Sequence, residues 1–227
     1  MHHAAPGFYP VSSLSGLPNP DDAAFDPFTL SLPLHRGASS RTFARVWPVV
    51  ERIQETFQPD FVVVQCGVDG LAGDPMATWN WSIGGPGSLG WCVDRIVHNW
   101  SGKKLLLGGG MCTPYFIMMP SPNVRPGGYN SPNAARAWAF LTSILVGGLT
   151  VGESISRLCF QAGNPLSLDV AIPDHRAFPL YQPSFTLDVP AGNMQDQNSG
   201  EYVQHVTRVF ERVQTLLQER LSRESSF

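Results

Sequence analysis

"VVVQCGVDGLAGDP", residues 62–75, decides the fold. Together with Phe61 it opens on a β-branched run without polar alternation, as a parallel strand covered on both faces would. The run stops at Gly67 and hands over to Asp69 and a second Gly-Asp pair. A strand that apolar ending in a carboxylate has two readings. Asp69 either caps the following turn by accepting neighbouring backbone N–H groups, or it stands where a chemical site needs a fixed negative group. Asp74, in Gly-Asp-Pro, reads more simply as a turn residue.

Working outward, "SRTFARVWPVVERIQETFQPD" before the strand reads as a helix with Ser40 as N-cap. Its apolar stripe is Phe43, Val46, Trp47, Val50, Ile53 and Phe57, and Pro48 inside it predicts a kink or a late start. Upstream, "FTLSLPL" (28–34) reads as a short strand. After the key strand come a second helix, "LGWCVDRIVHNW" (89–100), and a second strand with a glycine turn, "KKLLLGGG" (103–110). "SPNAARAWAFLTSILVGG" is a third helix, with Ser131 as N-cap, Pro132 as its first residue and Gly147-Gly148 as its stop. The tail, about 201–222, is an amphipathic helix with Val206, Val209, Phe210, Val213 and Leu217 on one face. Helices alternating with strands imply an α/β fold, a mainly parallel sheet flanked by helices. In such sheets ligands collect beyond the carboxyl ends of strands, the edge that carries Asp69 and the Gly108–Gly110 turn.

Bulk properties agree with a globular chain. It has 227 residues, 43% hydrophobic and 15% charged, with a net charge of -3. That balance leaves no basic footprint, so direct DNA binding is not expected. Four cysteines without a CxxC pair indicate neither a zinc knuckle nor a disulfide framework. The start carries no signal-peptide pattern, and no apolar stretch is long enough to span a membrane. Twenty prolines and 22 glycines imply long loops, where sites usually sit.

Two further stretches could carry chemistry. "GGYNSPNAARAW" (127–138) delivers Tyr129 at a helix start, where a phenol can donate to a developing oxyanion. Its plainer reading is a packed loop aromatic. "APGFYP" (5–10) pins Phe8 and Tyr9 between prolines, able to wall a slot or simply to cover a core. None of the six histidines stands in a recognisable ligand spacing.

Taken in order, "GFYP", "QPDFVVVQCGVDGLAGDP", "LLLGGG", "GGYNSPNAARAWAFLTSIL" and "IPDHRAFPLY" resemble the carboxy-terminal half of the zinc-dependent histone deacetylases, nearest the class I branch. The match is strongest over 5–188. It implies the arginase/deacetylase fold and an incomplete domain spanning 1–227. By position, Asp69 would be a zinc ligand and Tyr129 the hydroxyl polarising the acetyl carbonyl. Phe8, Tyr9, Met76, Gly127 and Gly128 would shape the acetyl-lysine tunnel. The resemblance implies zinc as cofactor, acetylated lysine in histone tails or other proteins as substrate, and a nuclear or also cytoplasmic location.

The departures from the family pattern matter as much. Its His-His pair and its Asp-x-Asp-x-His-His-Gly-Asp-Gly strand end lie upstream of the "GFYP" loop, and nothing here replaces them, since His2 and His3 align beside the loop and not with the ligand motif. A catalytic zinc takes three protein ligands, so one carboxylate should neither hold it nor support hydrolysis. A truncated, non-catalytic binding module is therefore a second reading, and an acetylpolyamine-type deacetylase a third. Residues 111–126 interrupt the family's glycine-tyrosine turn and should push Tyr129 from its usual place. They are either a loop insertion or a retained intron, since Gly110-Met111 can encode a splice donor and Pro122-Asn123 a branch site. Pro75 and Pro132 stand where corepressor-bound relatives carry phosphate-binding arginines. Inositol-phosphate-dependent corepressor binding is accordingly not expected.

Overall fold

The structure is a computed structural model and describes residues 1–3, 12–109, 130–147 and 165–224. Its elements run β1 (His2–His3), β2 (Pro33–Leu34), α1 (Ser40–Phe57), β3 (Phe61–Gly67), α2 (Leu89–Asn99), β4 (Lys103–Gly109), α3 (Ser131–Gly147) and α4 (Gly200–Glu224). Two short 3-10 turns, Ser13–Ser15 and Phe178–Tyr181, interrupt the loops. The expected α/β order is present. β3 and β4 pair in parallel, with Phe61 opposite Lys103 and Gly67 opposite Gly109. β1 and β2 form a second parallel pair. Only the last two residues of the expected 28–34 strand are extended and paired.

The helices form where the apolar spacing places them. In α1, Phe43, Val46, Trp47 and Val49 are buried, and Pro48 lies inside the helix without delaying its start. Ser39, not Ser40, is the N-cap, and its N–H and hydroxyl both donate to the Asp196 carboxylate, at 3.0 and 2.7 Å. At the other end Gln58 turns left-handed with φ 50° and donates its N–H to Gln54. α2 starts at Ser88, whose hydroxyl accepts the Trp91 N–H. α3 is capped one residue earlier than its sequence indicates: the Asn130 side chain accepts the Asn133 N–H at 3.1 Å, which makes Ser131 the first helical residue. α4 buries Val203, Val206, Phe210, Val213 and Leu217.

Burial of this apolar surface is the main favourable term holding the elements together. Phe43 stacks on Trp81 at 3.9 Å between ring centres, and Trp47 packs edge-on to Trp91. Polar ties then fix the tail against the body. Asp196 also accepts the Thr42 hydroxyl at 2.6 Å, and the Asn80 side chain donates to the Gly192 and Met194 carbonyls. No helix among the described residues is long and apolar enough to cross a membrane.

One expectation is corrected. The unbroken apolar run of β3 suggests cover on both faces, yet only one face is covered. Val62, Val64 and Leu106 pack against the core that α1 and α2 build. On the other face Phe61 is 69% exposed, Val63 62%, Leu105 55% and Leu107 45%. A parallel sheet is ordinarily buried on both faces, so this sheet has the composition of a central layer and the surroundings of an outer one.

Candidate active site

The site is built at the carboxyl end of β3. After Gly67 the chain turns through Val68, which is buried, and presents Asp69 half-buried. Gly70 is required next: a Cβ there would lie 2.4 Å from the Trp79 ring. Among the described residues the Asp69 carboxylate has no hydrogen-bond or ion-pair partner. The turn-capping role is taken by Asp74, which is 6% exposed and accepts the Met76 N–H at 2.9 Å. The two readings of the opening stretch thus fall on different aspartates, turn chemistry on Asp74 and an unengaged carboxylate on Asp69.

The start of α3 docks on the same turn. The Asn130 N–H donates to the other Asp74 oxygen at 3.3 Å, and the Asn130 side-chain amide donates to the Gly73 carbonyl at 3.3 Å. Asn133 donates to the Ala72 carbonyl at 3.2 Å and accepts from Arg136 at 2.8 Å. Arg136, 5% exposed, has no ion-pair partner among the described residues. It donates to the carbonyls of Thr186, Tyr181 and Ser184 and lies over the Tyr181 ring. This clamp joins the turn after Asp69, the head of α3 and the 181–187 segment. The sequence reading missed it; the asparagine just before the helix was its one visible signal, since asparagine is a strong N-cap.

Of the residues singled out from the sequence, Asp69 and Met76 are described. Met76 lies two residues past Asp74, with 47% of its surface exposed. Phe8, Tyr9, Gly127, Gly128 and Tyr129, with the 111–126 insertion, lie outside the described residues.

Asp69 opens onto a groove of about 600 Å³ that runs along β3 towards Met1 and His2. Phe43, Trp47, Trp79 and Trp100 wall it. Cys66 and Cys92 also line it, and burial pushes both thiols up, with Glu51 adding to the shift at Cys92. Among the described residues no three His, Cys, Asp or Glu side chains converge as a metal-holding group. A tightly held zinc does not fit this donor set, because Asp69 supplies one carboxylate where three protein ligands are needed.

A parallel α/β sheet with an acidic group at its carboxyl edge belongs to a class that places its chemistry there. The Histone deacetylase domain profile matches residues 1–114, half of the chain. The chain therefore belongs to the histone deacetylase family. It is 29% identical over 210 residues to "Histone deacetylase 8" of Xenopus tropicalis, covering 91% of this chain and 45% of that protein. It is 27% identical over 210 residues to "Histone deacetylase 8" of Danio rerio, covering 91% and 44%. With "Histone deacetylase HDAC1" of Drosophila melanogaster it shares 28% over 191 residues, covering 83% and 29%. The chain spans about half the length, or less, of these relatives.

Proposed function

We propose that this chain is the carboxy-terminal part of a lysine deacetylase domain and contributes two groups of its reaction centre, Asp69 and Tyr129. The observation that carries the reading is the Asp69 carboxylate: half-buried, at the carboxyl end of a parallel strand, and engaged by none of the described residues. A carboxylate held that way makes no local bond, which fits a group kept for chemistry.

In the complete domain zinc would act as Lewis acid on the acetyl carbonyl. Asp69 would supply one negative arm to it. The Tyr129 phenol would donate to the oxyanion that forms, and Phe8, Tyr9, Met76, Gly127 and Gly128 would border the acetyl-lysine chain. The substrate class is acetylated lysine of histone tails or other proteins, and the setting nuclear. Asp69 is the one carboxylate among the described residues that line the groove, which supports the further statement that the chain alone is a non-catalytic module.

Metal analysis of the purified chain tests this, together with acetate release from an acetyl-lysine peptide. The expected result is no stoichiometric zinc and no release. Tightly bound zinc, or turnover by the chain alone, would overturn the incomplete-site reading.

A further inference from the structure

The exposed face of the β3–β4 sheet is one contiguous apolar strip. Side chains alternate between the two faces of a strand, and the register sets Val63 beside Leu105 and Gln65 beside Leu107. Phe61 closes one end, with the Lys103 ammonium 5.6 Å from its ring centre. Phe61, Val63, Leu105 and Leu107 together present on the order of 400 Å² of apolar surface, the size of a patch that usually serves contact. A standard interface with a second copy takes about 800 Å² from each partner. The strip is too small for that and suits a short segment.

The chain supplies such a segment itself, outside the described residues. No charged residue stands between Lys104 and Arg125, and residues 115–119, Tyr-Phe-Ile-Met-Met, run apolar between Pro114 and Pro120. An apolar run of that length needs cover, because exposed loops are ordinarily polar. Its two aromatic rings can bury about 150–250 Å² each, which matches the strip, and methionines adapt to an irregular surface. The ends of the segment fit as well. β4 ends at Gly109, beside Gly67, and the chain returns at Asn130, which is bonded to Gly73. Both ends therefore stand at the carboxyl edge of the sheet. Residues 110–129 reach at most about 70 Å. Running out and back along a seven-residue strand takes roughly 46 Å.

We propose that the bare face of β3 and β4 is the docking surface for the chain's own segment 115–119. The insertion thereby has a packing role: it supplies an outer cover for a sheet whose other face is already buried. The inference goes beyond the deacetylase reading and does not rest on it, since it needs neither zinc nor a second polypeptide.

The test is methyl NOE spectroscopy by NMR on the whole chain. Cross-peaks are expected from the Val63, Leu105 and Leu107 methyls to the Tyr115 and Phe116 rings and the Ile117 methyls. They should survive dilution and be missing from isotope-mixed samples that report only contacts between copies. A double-mutant cycle reads the same contact. Phe116→Ser and Leu105→Lys should each lower the folding equilibrium constant about tenfold, and the pair barely further than either alone. In a chain lacking 111–126, Leu105→Lys should change that constant by less than about threefold, because nothing then covers the site. The proposal is overturned if no cross-peak joins 115–119 to the strip, if residues 149–160 give the cross-peaks instead, or if the contacts form only between copies. Additive losses in the cycle also overturn it. Should a variant fail to fold, the cross-peaks of the parent chain decide.

Discussion

The backbone N–H of Asn130 and the side chain of Asp74 meet at 3.3 Å, across 56 positions of sequence. Through that contact the head of α3 is fixed to the turn that follows Asp69. The residue after Tyr129 thus has a defined place whatever the length of the segment before it. The 111–126 insertion and Tyr129 lie outside the described residues, and α3 begins against the 72–74 turn.

Asp74→Ala removes the acceptor for the Asn130 and Met76 N–H groups from a site 6% exposed. Unfolding in urea should show a loss of about 2–3 kcal/mol, since hydrogen bonds to a charged acceptor are the stronger kind. Asp74→Asn should keep part of it. A change under about 0.5 kcal/mol for the alanine variant would mean the clamp lies elsewhere.

Asp69→Asn should behave in the opposite way. With no partner among the described residues to lose, its midpoint should stay within about 0.5 kcal/mol of the parent chain or rise. Thermal and urea melts check this. A marked destabilisation would assign Asp69 a structural role.

Arg136 satisfies three carbonyls from a buried position. Arg136→Met should cost about 3 kcal/mol, because the carbonyls of Tyr181, Ser184 and Thr186 lose a shared donor. Arg136→Lys should recover little, as one ammonium cannot reproduce the planar fork. Equal stability of the lysine variant and the parent, by urea titration, would contradict this.

Asp196 sets an acid limit. Burial pushes its pKa up, but hydrogen bonds from Thr42, Asn198 and Ser39 outweigh that and leave it below the ordinary 3.8. A depressed folded-state value means the contribution is complete above the unfolded value and fades as pH falls through the folded one. The stability curve should therefore drop below about pH 4, and Asp196→Asn should flatten that limb while lowering stability at neutral pH. An unchanged acid limb in the variant would remove Asp196 from the account.

Much of the architecture is legible in the order of residues. The β-branched run before Gly67 forms a parallel strand, the stripe from Phe43 to Ile53 forms a buried helix face, and Asp74 forms a turn, because each depends on neighbours within a few positions. Ser39 in place of Ser40 and Asn130 in place of Ser131 as caps were not legible. Several adjacent residues could cap, and distant partners, Asp196 and the 72–74 turn, select among them.

Sequence by itself determined the element types, the family and the identity of the candidate acidic group, since periodicity and motif order are local and one-dimensional. Tertiary structure decided what that group touches, that the same apolar strand is covered on one face only, and that a groove runs along it. Those are properties of which surfaces meet. A chain writes the same valines for a buried layer whether or not the neighbouring layer is part of it.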